Sequence, residues 1–337
     1  MSLHQESFWG ESDIEAVQRC PVCGSALSKK IHTDLQDFLE SVPGVWDMYL
    51  CEKCESGYLS PRPKASSIGK AYGNYYTHTD ARLEHEADNG DSTLWRLVNG
   101  YLNHRYAASR VPASSLGFFL IPLIVPLRQQ LDYFFRYLPR TPGRVLDVGC
   151  GNGRFLLRAL QAGWEVKGIE PDMKAAKSAQ LAGVPVSQQG IEDTPGRGDF
   201  DVVTCSHVIE HVHDPLTLLR NVKSHLRPGG QLWLATPNMQ SIGHWVFGAD
   251  WRGLEPPRHM QVLSRSALRT LLERAGFSEI SFRCRGRGAS FVFRESQVIA
   301  RTSLRQHRRF PVWLVDLLAS LFSNCAEELV VVARRPR

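Results

Sequence analysis

At 337 residues the chain suits one large domain with additions, or two domains, and its balance of 43% apolar and 22% charged residues excludes wholesale disorder, collagen and coiled coil. No window reaches the roughly 18 uninterrupted apolar residues of a membrane-spanning helix, and the nearest attempt, Leu116 to Leu127, is broken by Pro122 and Pro126. The opening residues are polar and acidic with no apolar signal stretch, so the expectation is a cytoplasmic protein. The net charge of +6 is unevenly placed: between Arg283 and Phe310 stand eight arginines (283, 285, 287, 294, 301, 305, 308 and 309) against one acid, Glu295, and the remainder is slightly acidic.

The first pattern along the chain is a pair of C-x-x-C turns, Cys20-Pro-Val-Cys23 and Cys51-Glu-Lys-Cys54, separated by 27 residues. Four thiolates are what a tetrahedral structural zinc takes, and Gly24 and Gly57 suit knuckle turns in which backbone amides approach sulfur. Disulfides are disfavoured without an export signal. With all four positions filled by protein, the metal holds together a module over 1–63 and does no chemistry. Residues 64–137 read as a helical linker or lid, with Tyr72, Tyr75 and Tyr76 as either a cover for a ligand or an aromatic hinge. Cys150, Cys205, Cys284 and Cys325 are scattered singly and read as buried small hydrophobes.

From Arg144 the pattern alternates strand and helix. Arg144–Val148 is a buried strand followed by Gly149-Cys-Gly151-Asn-Gly153, then a helix over 154–163. Strands follow at 164–169, 184–186, 200–204 and 231–235, with helices over 173–182 and 215–226 and a turn at Pro228-Gly-Gly230. A last strand around Glu328 to Val332 pairs with 279–284. This is an α/β fold, a Rossmann-like, doubly wound, mostly parallel seven-stranded sheet with helical insertions, filling 138–337 behind the zinc-knuckle module. An arginine-rich amphipathic insertion occupies about 285–324.

The glycine turn selects the ligand. A dinucleotide site wants G-x-G-x-x-G, whereas here the third glycine comes one residue early and Arg154 takes its place. Asp147 before the turn would repel a pyrophosphate and suits an ammonium or sulfonium. Glu170, 23 residues on at the end of the second strand, can bond both ribose hydroxyls. The combination favours S-adenosylmethionine over NAD.

VLDVGCGNGRFL, GIEPD, GIEDTP, DFDVVTCSHVIEHVHDP and LRPGGQLWLATPN, in that order over about 138–282, resemble the successive motifs of class I S-adenosylmethionine-dependent methyltransferases, in particular the ubiquinone-biosynthesis O-methyltransferase-like group. The resemblance implies that Asp147, Gly149, Gly151 and Gly153 shape the methionine pocket and that Glu170 binds the ribose. It further implies that Ile191 and Glu192 flank the adenine while Ser206 and His207 line the floor beside the methyl group. The paired-cysteine leader running into Gly57-Tyr-Leu-Ser-Pro-Arg-Pro63 is similar to the zinc-ribbon leader of bacterial methyltransferases that act on sugars and secondary metabolites.

Methyl transfer to oxygen needs alignment and a proton acceptor. His211, just past the fourth strand, is the first candidate base and His259 the second. His207-x-x-Glu210-His211 with the later His259 also resembles the E-x-x-E-H metal motif of small-RNA 2′-O-methyltransferases, broken at its first position, so a second metal, zinc or magnesium, stays open. Trp245, Trp251, Arg252 and Arg258 suggest an aromatic and arginine lining over the acceptor. Leu116–Leu127 and Pro311–Phe322 suit either a lid or homodimer face or peripheral contact with a membrane. The leading expectation is an enzyme that methylates a sugar or phenolic hydroxyl on a small or carrier-linked metabolite, with S-adenosylmethionine and structural zinc as cofactors. The rivals are an RNA methyltransferase, against which the slightly acidic remainder counts, and a non-catalytic S-adenosylmethionine-binding partner subunit.

Overall fold

Short strands separated by the two cysteine turns build the N-terminal part: β1 (Ile14–Glu15), β2 (Ser28–Leu35), β3 (Trp46–Cys51), β4 (Gly57–Leu59) and β5 (Arg62–Pro63). The computed structural model describes residues 8–73, 92–307 and 310–337, so Tyr75, Tyr76, Arg308 and Arg309 lie outside the described residues. β2, β3 and β4 form an antiparallel sheet and β1 pairs with β5. The first knuckle has Gly24 at φ +75°, as its sequence suggests; the second has Glu55 at φ +57° in the matching place. Gly57 is therefore not a knuckle residue. It opens β4, where a Cβ would lie 2.9 Å from the Met48 sulfur and 3.0 Å from that of Met239.

Three helices follow. α1 (Thr93–Tyr106) is capped by Ser92, whose hydroxyl accepts from Trp95 N; α2 (Gly117–Leu120) and α3 (Val125–Phe134) come after it. α1 is tied to α3 by Tyr101 and Tyr106, which both donate to Asp132 Oδ1 at 2.7 and 2.6 Å.

The main domain runs β6 (Arg144–Val148), α4 (Arg154–Gln161), β7 (Glu165–Ile169), α5 (Met173–Leu181), β8 (Val186–Ser187), β9 (Phe200–Ser206), α6 (Pro215–His225) and β10 (Leu226–Pro237). It continues with α7 (Ile242–Phe247), β11 (Gln261–Val262), α8 (Arg265–Arg274), β12 (Ser278–Arg283), α9 (Ala289–Thr302), α10 (Val312–Leu321) and β13 (Glu328–Arg334). The seven strands lie in the order β12-β13-β10-β9-β6-β7-β8, with β13 antiparallel between β10 and β12 and the strands from β10 to β8 parallel. Helix starts carry side-chain caps where the sequence offers them: Asp172 on Ala175 N, Asp214 with Pro215 after it, and Ser264 on Ala267 N.

Two features depart from the local sequence signals. Pro228-Gly-Gly230 is an irregularity inside β10, where the register against β9 jumps between Leu226 and Gln231. Arg335 beyond β13 satisfies its backbone: Gly229 N donates to Arg335 O, and Arg335 N to Gly230 O. The second feature is β11, which lies between α7 and α8 in the chain yet pairs with β4 as the fourth strand of the N-terminal sheet. The cysteine turns share one apolar core with α8 and the main sheet, through Cys20, Val22, Cys54, Leu268 and Leu271.

Candidate functional site

The glycine turn after β6 needs a backbone that L side chains avoid: Gly149, Gly151 and Gly153 have φ of +66°, +53° and +80°. A Cβ on Gly149 would sit 2.5 Å from Val208 Cγ2. Gly149 N and Cys150 N both donate to Ile169 O at the end of β7. Glu170 braces the same turn, its Oε2 accepting from Gly151 N at 2.8 Å and its Oε1 from Asp172 N at 2.9 Å. Each carboxylate oxygen keeps a further lone pair for a ligand hydroxyl.

Asp147, near the end of β6, is fully buried. Its Oδ1 accepts from Thr204 Oγ1 at 2.8 Å and pairs with the Arg136 guanidinium. Its Oδ2 is buried without a hydrogen-bond partner among the described residues. Burial pushes the Asp147 pKa up, while Arg136 pulls the other way. A buried acceptor left open beside a left-handed glycine turn, with a second carboxylate one strand away, fits the ammonium and ribose of S-adenosylmethionine. Ile191 is buried beside this region, Glu192 is exposed, and Ser206 ends β9 partly buried. Arg136 carries no flag in the sequence. Its guanidinium carbon lies 4.0 Å from the centre of the Phe155 ring, and it also donates to Thr204 Oγ1 at 2.8 Å.

The histidines gather past β9. His207, at φ +53°, has Nδ1 3.1 Å from Glu210 Oε1 and Nε2 3.4 Å from Glu328 Oε1. Desolvation works against its charged form, but the two carboxylates override it and hold the pKa well above the histidine range. Glu210 is fully buried and also accepts from Thr236 Oγ1 at 2.9 Å. His211 Nδ1 lies 3.1 Å from the Arg258 carbonyl and 3.0 Å from the Tyr72 hydroxyl; His259 Nδ1 lies 2.8 Å from the Gly253 carbonyl. A carbonyl can only accept, so both rings carry hydrogen on Nδ1 and leave Nε2 with its lone pair. Burial lowers the pKa of both, His259 to about 4. The two rings sit 4.7 Å apart, and one ligand atom each from Glu210, His211 and His259 lies within 4.8 Å of the others.

The four N-terminal sulfurs also lie within 4.8 Å of one another, with Cys20–Cys54 at 3.6 Å and Cys23–Cys51 at 3.5 Å. A tetrahedron of Zn–S bonds near 2.3 Å has sulfurs about 3.8 Å apart, so the four cysteines are positioned for a structural zinc. The loop over 248–259 differs from the lining its aromatic and basic residues suggest. Trp251 is buried and donates to Glu327 Oε2 at 2.8 Å. Arg258 is fully buried, bonding Asp37 Oδ2 and Glu255 Oε1 at 2.8 Å each, and Arg252 pairs with Glu255. A buried guanidinium needs these carboxylates, so the Arg258 charge is spent in an ion network inside the fold. Of the basic block, Arg285 is likewise buried, over the Tyr133 ring at 3.8 Å.

Residues 123–281 match the family described as a methyltransferase domain. The ubiquinone biosynthesis O-methyltransferase of Ralstonia nicotianae is 40% identical over 138 residues, which are 38% of this chain and 57% of that protein. The enzyme of the same name from Chromobacterium violaceum is 36% identical over 138 residues, 38% of this chain and 59% of that one. The chain thus spans less than two thirds of the length of the curated relatives it matches. Among solved structures, the S-adenosylmethionine dependent methyltransferase from Mesorhizobium loti aligns at 19% identity and a TM-score of 0.43, covering 61% of this chain and 98% of that one.

Proposed function

We propose that this chain, whose residues 123–281 match a methyltransferase domain, is a class I S-adenosylmethionine-dependent methyltransferase that moves a methyl group onto a sugar or phenolic hydroxyl of a small or carrier-linked metabolite. The observation that carries the reading is the open, buried Oδ2 of Asp147 beside the left-handed glycine turn, with Glu170 one strand away. The shared name of the curated relatives supports an oxygen acceptor. S-adenosylmethionine, when bound, supplies a methyl group already activated on a sulfonium. The chain's own task is to align the acceptor and take its proton, each a large part of such a rate enhancement. His211 is the proposed base: its Nδ1 faces the Arg258 carbonyl, which leaves Nε2 as the proton acceptor, and it is only partly buried. His259, deeper in the fold, orders the His211 ring or substitutes for it. His207, paired with two carboxylates, is proposed to form part of the floor of the site as a fixed positive charge.

The test uses methyl-labelled S-adenosylmethionine, the purified protein and host-cell extract divided into aqueous metabolites, organic-soluble lipid and RNA. Label in the metabolite or lipid fraction is expected, and His211→Ala should lower it roughly 100-fold or more with cofactor affinity unchanged. Label that disappears on ribonuclease treatment transfers the reading to RNA. Cofactor binding with no label in any fraction favours a non-catalytic partner subunit.

A second reading is favoured by one observation, the convergence of Glu210, His211 and His259. Two imidazoles and a carboxylate are a donor set suited to zinc or magnesium-type chemistry, with Nδ1 of each ring already fixed by a carbonyl. Metal content separates the readings: one zinc per chain leaves His211 as base, and two metals assign these three residues as ligands that orient and acidify the acceptor hydroxyl.

A further inference from the structure

Helix α10 has more apolar surface than its packing uses. Its only polar side chains are Asp316, whose Oδ1 accepts from Ala289 N at 3.0 Å, and Ser320, whose hydroxyl donates to Asp316 O at 2.7 Å. A helix apolar all round belongs inside a protein. Here Val315 and Ala319 are covered, while Trp313, Leu317 and Leu321, spaced four apart on one stripe, are 68%, 44% and 61% exposed. Gln129 of α3 ties this helix to its neighbours, donating to Ser320 O at 2.9 Å and accepting from Gly286 N at 3.0 Å. Helix α2 exposes Phe119, and the turn that leads from it into α3 exposes Leu123 and Ile124. On α9, packed against α10, Phe291, Arg294, Val298 and Arg301 are exposed at helical spacing, and Arg283 and Arg287 are exposed just before it. The sequence left lid and membrane contact as alternatives; one side of these helices packs as a lid would, and the other side faces outward.

We infer that this outer face docks on an anionic phospholipid surface, with α10 and the turn before α3 at the acyl boundary and the α9 arginines among the headgroups. Charge decides against a second copy of the chain as the occupant. A two-fold interface buries the same patch on both copies, and a patch whose segment carries eight arginines and one acid, Glu295, offers itself little opposite charge. An anionic bilayer supplies the opposite charge, and the slightly acidic remainder of the chain turns this face toward it. The face also adjoins the site. Arg285, between β12 and α9, lies over Tyr133 and has Nε 3.7 Å from Glu328, which holds His207. An acceptor carried on a lipid would enter from this side, a consequence that rests on the transfer reading while the docking itself does not.

The test is sedimentation of the full chain with vesicles of phosphatidylcholine alone and of phosphatidylcholine mixed with phosphatidylglycerol. Binding is expected to the mixed vesicles and to be weak on the neutral ones. Each arginine near an anionic surface contributes about fivefold, so Arg294→Glu with Arg301→Glu should weaken binding roughly tenfold or more. Trp313→Ser with Leu317→Ser should weaken it by a similar factor, and S-adenosylmethionine affinity, measured by calorimetry, reports that both variants remain folded. Absence of binding to mixed vesicles, equal binding to both kinds, or a dimer that the Leu317→Ser variant alone dissociates would overturn the inference. If vesicles bind but no fraction of the extract is labelled, docking stands and the transfer reading fails.

Discussion

Asp147 does two things with one carboxylate. Oδ1 neutralises Arg136, and Oδ2 is left open in a buried place. Asp147→Asn keeps the shape and removes the charge, so S-adenosylmethionine should bind at least roughly tenfold more weakly, the equivalent of one charge-assisted hydrogen bond. Titration calorimetry measures this, and unchanged affinity would remove Asp147 from the site. His211 makes a prediction about rate. Burial disfavours its imidazolium and lowers its pKa, so it stays in the base form well into mild acid. The fall of kcat/KM on acidification is therefore expected below about pH 6.5, the ordinary histidine value; a limb rising above neutrality would point to another base. Glu327 carries a prediction about stability. Burial, opposed by its bonds to Trp251 and Gly243, raises its pKa to about 7. The folded state holds this proton more tightly than the unfolded chain, whose value is near 4.5. Its contribution is complete below pH 4.5 and is lost as the pH rises through 7. Thermal melting should show stability falling over that window, and Glu327→Gln should flatten the fall.

At the scale of elements, the two cysteine turns are near copies. Cys20 N donates to Ser25 O and Gly24 N to Cys20 O; Cys51 N donates to Ser56 O and Glu55 N to Cys51 O. Each turn closes on itself through these amides, and the four sulfurs, within 4.8 Å of one another, are placed for a zinc to join the two. The second turn is also anchored to α8: Ser264 Oγ donates to Cys54 O at 2.5 Å and its N donates to Ser56 Oγ at 3.1 Å. Arg274, in the last turn of α8, donates to Val22 O. Zinc removal by a strong chelator is therefore expected to loosen α8 as well as β3 and β4. Hydrogen exchange of the α8 amides reads this directly, and exchange confined to residues 20–59 would show the turns to be independent of the helix.

The whole molecule folds around this sharing. β11 completes the N-terminal sheet from a position some two hundred residues away in the chain, and Arg258 joins Asp37 of the first module to Glu255 of the loop beside His259. A chain lacking residues 1–63 would lose the Arg258–Asp37 pair, the partner strand of β11 and the part of the shared core that Cys20, Val22 and Cys54 supply. That shortened chain should be insoluble or melt at much lower temperature, and the full chain should unfold in one transition. Two separate calorimetric transitions would mean that the modules fold apart.

What could be read from the sequence was short-range. Strand and helix alternation, the Asp147–Gly153 turn and the spacing of the four cysteines each express themselves within a few residues, so the sheet, the glycine turn and the metal ligands were legible without coordinates. β10 was read short because the satisfaction of Gly229 and Gly230 comes from Arg335, a contact no local pattern reports. Trp251 and Arg258 looked like acceptor contacts for the same reason. Whether an arginine is a ligand for phosphate or the centre of a buried ion network depends on which carboxylates the fold brings to it, and Asp37 lies 221 positions away. The grouping of His259 with Glu210 and His211 was suggested by a motif resemblance and is met in the structure, whereas the pairing of Arg136 with Asp147 and the outward face of α10 are products of tertiary packing, because burial and charge pairing are properties of neighbours in space.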